Sequence, residues 1–181
     1  GDSITRGWLR EGKETWERCF IPRNAGNLGF GADKTQHLLW RLRNGEIDGI
    51  APRVVVLLIG TNNQRVNSAA EIAAGVYANL QVILEKIPGA HVILMAIFPC
   101  RQKDHQFMKK INDANTLLAR TRDIPRVTWV NIGHRFLGPD GEIDTALLPD
   151  RLHLSPLGYE IWARELEPFL APYFPDRRCF E

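Results

Sequence analysis

The residue types of a nucleophilic acyl-transfer site stand at the two ends of the sequence. Ser3 lies within the opening segment of residues 1–5, and Asp150 precedes His153 by three positions near the other end. In such a site a histidine accepts the serine proton and a carboxylate orients the imidazole, and one turn is enough to place that second pair. The pattern favours a serine hydrolase, although a solitary Asp-x-x-His is also typical of solvated loops.

An oxyanion at the serine needs hydrogen-bond donors, and two segments between the ends carry suitable groups. The glycine-rich turn of residues 27–33 offers backbone N–H groups, and Asn62 offers a side-chain amide just after an apolar run that ends at Gly60. The backbone N–H of Ser3 is a third candidate. Taken singly, each segment is equally typical of a simple connection between a strand and a helix.

Apolar runs of strand length alternate with amphipathic helical patterns along most of the chain. Such alternation predicts a parallel sheet with helices on both faces, and ligands in these sheets bind beyond the carboxyl ends of the strands. The candidate residues lie at those ends. The predicted elements are a short strand near 23–27, helix 34–43, strand 54–59, helix 68–87, strand 92–97, helix 107–118, strand 127–132 and helix 156–169.

Four blocks together, in this order, resemble the SGNH or GDSL hydrolase superfamily. They are Gly1-Asp2-Ser3, the turn of residues 27–33, Gly60-Thr61-Asn62 and Asp150-Arg151-Leu152-His153. Residues 27–43, 52–63 and 150–159 are similar to one branch of it, the intracellular type I platelet-activating-factor acetylhydrolases and their bacterial relatives, most strongly at residues 39–46 and 60–63. The resemblance implies an α/β fold with three α/β/α layers and a flavodoxin-like parallel sheet.

The same resemblance implies a role for each matching residue. Ser3 is the expected nucleophile, His153 the general base and then general acid, and Asp150 the residue that orients the imidazole. The expected oxyanion hole consists of the backbone N–H groups of Ser3 and Ala32 and the side chain of Asn62. No metal and no cofactor are expected, and a homodimer is possible.

Two features depart from the superfamily pattern. Ala32 stands where members usually carry glycine, so its N–H is retained as a donor only if the turn accepts a residue with a Cβ. The strand before the nucleophilic serine is central in this fold, yet only Gly1 and Asp2 precede Ser3 here. We therefore expect a sheet that lacks its first strand, which upstream residues or another segment would supply.

The composition bears on the number of domains, the kinds of binding partner and the cellular compartment. A chain of 181 residues with 44% hydrophobic and 24% charged residues suits one folded domain spanning 1–181. A net charge of +2 with scattered basic residues argues against nucleic-acid binding, and the apolar runs are too short to span a membrane. Cys19, Cys100 and Cys179 are distant and odd in number. They predict reduced thiols and a cytoplasmic setting.

The function predicted from these observations is a serine esterase that removes a short acyl group, with acetyl preferred, from a small acetylated lipid, alcohol or sugar. One alternative is a carbohydrate O-acetyl esterase. Another is a protein-interaction module that keeps the SGNH shell with little activity. A metal site built from Asp150, His153 and His134 is disfavoured, because the spacing supplies too few ligands.

Several further residues carry weaker expectations. Asn115 resembles a family position that supports the site, but an exposed polar position on a helix is an equally good interpretation. Trp40 and Trp162 fall within helical apolar patterns and are predicted to pack in the interior. His105, with Arg101 and Lys103, follows a predicted strand and is a candidate for the mouth of the pocket.

Overall fold

The computed structural model of the chain describes residues 1–100 and 105–180, with the backbone alone at residue 105. The described strands are β1 (Val54–Leu57), β2 (His91–Met95) and β3 (Val127–Val130). The described α-helices are α1 (Ser3–Arg6), α2 (Lys13–Cys19), α3 (Thr35–Arg43), α4 (Ala69–Lys86), α5 (His105–Leu118) and α6 (Pro156–Leu170). Arg101 and Lys103, two of the candidates for the pocket mouth, lie outside the described residues, as does the side chain of His105.

The three strands form a parallel sheet in the order β1-β2-β3. Side chains of the central strand β2 alternate between two cores, as the two-residue period of a strand requires. Val92 and Leu94 lie in a core with α3, α4 and α5, whereas Ile93 and Met95 lie in a core with α6 and the aromatic side chains near α1. The predicted three-layer α/β/α arrangement is confirmed.

Local signals explain where the principal helices begin. Ser68 and Glu71 form a reciprocal capping box at α4, in which the Ser68 side chain accepts from the Glu71 N–H and Glu71 accepts from the Ser68 N–H. Ser155 caps α6 through the N–H of Gly158, with Pro156 as the first helical residue. The Ser68–Glu71 spacing and Pro156 are visible in the sequence, and both predicted helices begin there.

The predicted strand near residues 23–27 is wrong. Ile21–Arg23 forms a 3₁₀ turn, Asn24 adopts a left-handed conformation with φ of 56°, and the following residues form no regular element. The polar groups of this segment bond locally or to α1, since Asn27 Nδ2 donates to the Thr5 carbonyl at 2.7 Å. Within the described residues no strand precedes β1, and β1 lies at an edge of the sheet. A strand upstream of Gly1 stays a prediction.

The interpretation of all three cysteines as reduced thiols is also wrong. Cys19, at the end of α2, forms a disulfide with Cys179, and their Cα atoms are 4.9 Å apart. The C-terminal segment returns to this place because Arg23 donates to Glu167 at 2.6 Å and to the Arg177 carbonyl at 2.8 Å. A structural disulfide is typical of oxidising compartments, so the cysteines do not support the cytoplasmic prediction.

The two tryptophan predictions have different outcomes. Trp162 is 1% exposed and packs against Trp8, as predicted. Trp40 is 65% exposed, contrary to the prediction. The buried side of α3 carries Leu38 and Leu42, and at about 100° per residue Trp40 points away from that side. No helix in the described ranges combines the length and the apolar character needed to cross a membrane.

Candidate active site

Ser3, His153 and Asp150 are joined by a chain of hydrogen bonds. His153 Nε2 lies 3.0 Å from Ser3 Oγ, and His153 Nδ1 lies 2.6 Å from Asp150 Oδ2. Ser3 is the first residue of α1, and the Asp2 carboxylate caps this short helix by accepting from the Ile4 N–H at 2.9 Å. The fold thus brings together side chains separated by 150 positions in the sequence.

The Asp150–His153 pair is organised by its own turn. Asp150 Oδ1 accepts from the N–H groups of Leu152 at 3.0 Å and His153 at 2.7 Å, while Arg151 between them has φ of 60°. Partial burial favours a higher pKa for Asp150, but the hydrogen bonds from His153 outweigh it and lower the pKa. An ionised Asp150 keeps the proton on Nδ1, which leaves Nε2 able to accept from a serine hydroxyl.

The turn that carries Ala32 accommodates a residue with a Cβ. Ala32 has φ of 64°, in the left-handed region. An L-residue there costs about 1–2 kcal/mol, which the surrounding contacts must offset. The Phe30 N–H donates to the Gly1 carbonyl at 3.0 Å, which ties this turn to the segment before Ser3. At Gly29 a Cβ would lie 2.3 Å from the Arg6 nitrogen, so only glycine permits this approach to α1.

Asn62 lies in a 3₁₀ turn just beyond β1. Gly60 precedes this turn with φ of 126°, and Asn62 Nδ2 donates to the Asp33 carbonyl at 3.0 Å. A primary amide carries two N–H groups, so the bond to Asp33 leaves a second one for a ligand. Together with the bond between Phe30 and Gly1, this contact joins the segments that carry Ser3, Ala32 and Asn62.

Three residues that support the site were not recognised from the sequence. Asn63 is buried, and its Oδ1 accepts from the Thr35 N–H at 2.9 Å, which fixes the loop after β1 against α3. Tyr159 is buried in α6 and donates from its hydroxyl to the Ile4 carbonyl at 2.6 Å. Burial raises the pKa of Tyr159, so the phenol keeps the proton that it donates. The Asn-Asn doublet was a signal for Asn63, but Tyr159 looked like an ordinary apolar-stripe residue.

Asp2 is the third of these residues and is completely buried. Burial raises its pKa to about 6, against the opposing effect of the hydrogen bond from Ile4. Its position in the Gly-Asp-Ser block drew attention to Ser3 but did not indicate that the carboxyl itself would be buried.

Asn115 supports the carboxyl end of the central strand β2 and does not lie on an exposed helix face. Its side chain accepts from the Ile97 N–H and donates to the Ile97 carbonyl, both at 2.9 Å. These two bonds replace the strand partner that Ile97 lacks beyond the end of β2 and hold that end against α5. The expectation of an exposed polar position is therefore wrong for Asn115, which is half-buried.

The described residues form no group of three or more His, Cys, Asp or Glu side chains arranged to hold a metal ion. A recess of about 500 Å³ lies against α4 and is lined by apolar and polar side chains, none of which is a candidate site residue. These side chains are Tyr77, Leu80, Gln81, Leu84, Glu85 and Ile124.

Comparison with known proteins gives consistent findings. Residues 1–161 match the model of the GDSL-like lipase/acylhydrolase family. The chain is 36% identical over 171 residues to platelet-activating factor acetylhydrolase IB subunit alpha1 of Homo sapiens, an alignment that covers 94% of this chain and 73% of that protein.

Among solved structures, a GDSL-like lipase from Bacteroides thetaiotaomicron superposes with a TM-score of 0.81 at 18% identity, covering 96% of this chain and 86% of that one. Est24, a carbohydrate acetylesterase from Sinorhizobium meliloti, superposes with a TM-score of 0.63 at 17% identity, covering 82% and 78%. At these identities the two structural likenesses bear on the fold alone.

Proposed function

The chain belongs to the GDSL-like lipase/acylhydrolase family and is a carboxylic ester hydrolase, and from this premise we propose a serine esterase that removes a short acyl group. Membership of the family implies an ester substrate. The observation that carries the proposal is the hydrogen-bonded chain from Ser3 through His153 to Asp150. Acetyl is the preferred acyl group, since the relative with 36% identity is named an acetylhydrolase.

The proposed reaction has two halves. His153 Nε2 accepts the proton of Ser3 as Oγ bonds to the ester carbonyl carbon, and the carbonyl oxygen becomes an oxyanion. The N–H groups of Ser3 and Ala32 and the second amide N–H of Asn62 stabilise that oxyanion. Collapse of the intermediate breaks the ester bond, and the imidazolium gives its proton to the departing alcohol.

Water completes the cycle. His153 accepts a proton from a water molecule that attacks the acyl-serine, a second oxyanion forms at the same donors, and its collapse releases the carboxylic acid. The proton on His153 returns to Ser3 Oγ. Asp150 stays ionised throughout and stabilises the imidazolium, as its lowered pKa favours.

Ser3→Ala tests the proposal. We expect turnover of p-nitrophenyl acetate to fall by at least about 10³-fold while the fold persists, because no other group can form the acyl intermediate. Ser68→Ala is the matched control, since it removes a serine that caps α4 and belongs to no candidate site. That control should keep full turnover and lose about 1 kcal/mol of stability. Unchanged turnover in Ser3→Ala would overturn the proposal.

Two alternatives are separated by further measurements. A carbohydrate O-acetyl esterase is the first alternative, and comparing acetylated xylan with an acetyl-glycerophospholipid distinguishes the two substrate classes. An interaction module with an unactivated serine would leave Ser3 unlabelled by an organophosphonate, whereas the esterase should be labelled at that residue. A homodimer stays a prediction, which sedimentation equilibrium would test.

A further inference from the structure

We propose that Asp33 and Arg41 form a positioning pair that holds two oxyanion donors, the Ala32 N–H and the Asn62 amide, in one arrangement. This inference rests on the proposed function and deepens it. Neither residue touches the reacting atoms in the mechanism above. Their effect on catalysis runs through the turn of residues 30–33 and through Asn62.

Asp33 contacts both donors through its backbone. It follows Ala32 directly in the sequence, and its carbonyl accepts from Asn62 Nδ2 at 3.0 Å. The two N–H groups of an amide have fixed directions in one plane, so the bond to the Asp33 carbonyl determines where the other N–H points. A shift of Asp33 would therefore move the Ala32 N–H and reorient the Asn62 amide together.

The Asp33 side chain fixes the position of that backbone. Asp33 is only 5% exposed, and its Oδ2 accepts from Arg41 Nε at 2.9 Å. A carboxylate withdrawn from water requires a charged partner, and removing that partner leaves an uncompensated buried charge. Arg41 belongs to α3, which Asn63 binds at its first residue, so the anchor is a helix already tied to the loop that carries Asn62.

Arg41 also holds the other end of the turn. Its guanidinium stacks on the Phe30 ring, with Cζ 3.7 Å from the ring centroid. The Asp33 N–H donates to the Phe30 carbonyl at 3.3 Å, and the Phe30 N–H donates to the Gly1 carbonyl two residues before Ser3. One arginine thus clamps Phe30 and Asp33, the residues that flank Gly31 and Ala32.

The contacts of Arg41 with Phe30 and Asp33 explain how Ala32 is held in a left-handed conformation. A non-glycine residue with φ of 64° persists only where neighbouring contacts determine the turn. The planar guanidinium of arginine can stack on a ring and donate from Nε at the same time, whereas the ammonium of lysine is a point charge without a planar face or a forked set of donors. The charge of Arg41 alone would not reproduce the clamp.

The test compares Arg41→Lys, Arg41→Met and Asp33→Asn with the parent chain on p-nitrophenyl acetate. We expect kcat to fall about 10- to 100-fold in each variant, somewhat less than the loss of a whole oxyanion donor. We expect KM to change by less than about twofold, since the donors act on the tetrahedral intermediate more than on the bound ester. The rate of Ser3 labelling by an organophosphonate should fall in parallel with kcat.

Arg135→Met is the matched control. Arg135 forms an ion pair with Glu165 at 2.8 Å, and no described contact joins it to a site residue. It should leave kcat and KM unchanged. Circular dichroism and thermal unfolding establish that each variant is folded at the assay temperature, and Arg41→Lys and Asp33→Asn still test the pair if Arg41→Met does not fold.

Two results would overturn the inference. One is a folded Arg41→Lys and a folded Asp33→Asn with the kcat of the parent chain. The other is a rise in KM with kcat unchanged, which would indicate a role in binding the ester. Ser3→Ala, assayed in parallel, distinguishes a failure of the esterase proposal from a failure of the positioning pair. If it is inactive while the Arg41 and Asp33 variants keep full kcat, the esterase proposal stands and only the positioning pair fails.

Discussion

The two halves of the candidate site are held in different ways. Asp150 and His153 are 56% and 42% exposed at their side chains, and one turn of four residues supplies all their mutual hydrogen bonds. Ser3, in contrast, is held by contacts from distant segments of the chain. Its helix depends on a buried carboxyl at Asp2, a hydroxyl from α6 and a turn anchored by α3.

This difference predicts that the two halves contribute differently to the stability of the fold. An exposed local pair adds little to the stability of the fold, because exposed ion pairs contribute only about 0–1 kcal/mol. The buried surroundings of Ser3 are part of the fold itself. We therefore expect changes at Asp150 to alter activity and leave stability nearly unchanged, whereas changes around Ser3 should alter stability as well.

The largest expected effect is that of Asp150→Asn. The asparagine can keep accepting from the backbone of its own turn, but it no longer holds the Nδ1–H tautomer of His153, so kcat on p-nitrophenyl acetate should fall by about 10⁴-fold. The free energy of unfolding in urea should change by less than about 1 kcal/mol.

Asp144→Asn is the control for that variant. Asp144 accepts from the Ala146 N–H at 2.8 Å in a turn of similar kind, and no described bond joins it to a candidate site residue. It should keep the parent kcat. An Asp150→Asn variant that retained more than about a tenth of the parent kcat would remove the assigned role of Asp150.

A smaller effect is expected at Asp2, where pH should change stability. The folded state raises the pKa of this carboxyl from about 3.8 to about 6, mainly through burial. Between those values the folded state binds more protons than the unfolded state, so stability is highest below the unfolded pKa and declines as the pH rises through the folded one. The difference is of order 3 kcal/mol at about 1.4 kcal/mol per pKa unit.

Asp2→Asn removes this titration while keeping an oxygen that can cap α1. Urea unfolding of both proteins between about pH 4 and pH 7 should show a decline in the parent chain that the variant lacks. Parallel profiles in the two proteins would contradict the assignment of the decline to Asp2.

The smallest expected effect is that of Tyr159→Phe. The substitution leaves the Ile4 carbonyl without the phenol donor, which should lower the free energy of unfolding by about 1–3 kcal/mol. Because this bond holds α1, kcat should also decrease, by a few-fold. Tyr77→Phe is the control, since Tyr77 is 41% exposed on α4 and should lose less than about 0.5 kcal/mol. A Tyr159→Phe variant with the stability of the parent chain would contradict the expectation that changes around Ser3 alter stability.

The elements between residues 54 and 170 were predictable because their signals are local. Continuous β-branched runs predict buried strands, and the Ser68–Glu71 spacing and Pro156 predict helix starts, since these features depend on residues a few positions apart. The predicted strand at 23–27 failed for a related reason. The Asn24 N–H donates to the Ile21 carbonyl and Asn27 Oδ1 accepts from the Gly29 N–H, and such local turn contacts compete with strand pairing without altering the apolar periodicity.

Trp40, Cys19 and Cys179 show what local patterns leave out. The helical period of α3 places aromatic and leucine side chains at known angles, but the packing of α4 decides which side is buried. The disulfide joins residues 160 positions apart, and no spacing rule relates them until the C-terminal segment is folded against α2.

The sequence by itself determined the order of the four blocks, the alternation of strands and helices, and the pairing of Asp150 with His153, because each rests on contacts within one element or one turn. Tertiary structure alone decided the burial of Asp2, the left-handed Ala32 clamped by Arg41, and the meeting of Ser3 with His153. These features depend on contacts between distant segments. These interactions form only when folding brings residues that are distant in the sequence into contact and removes their polar groups from water.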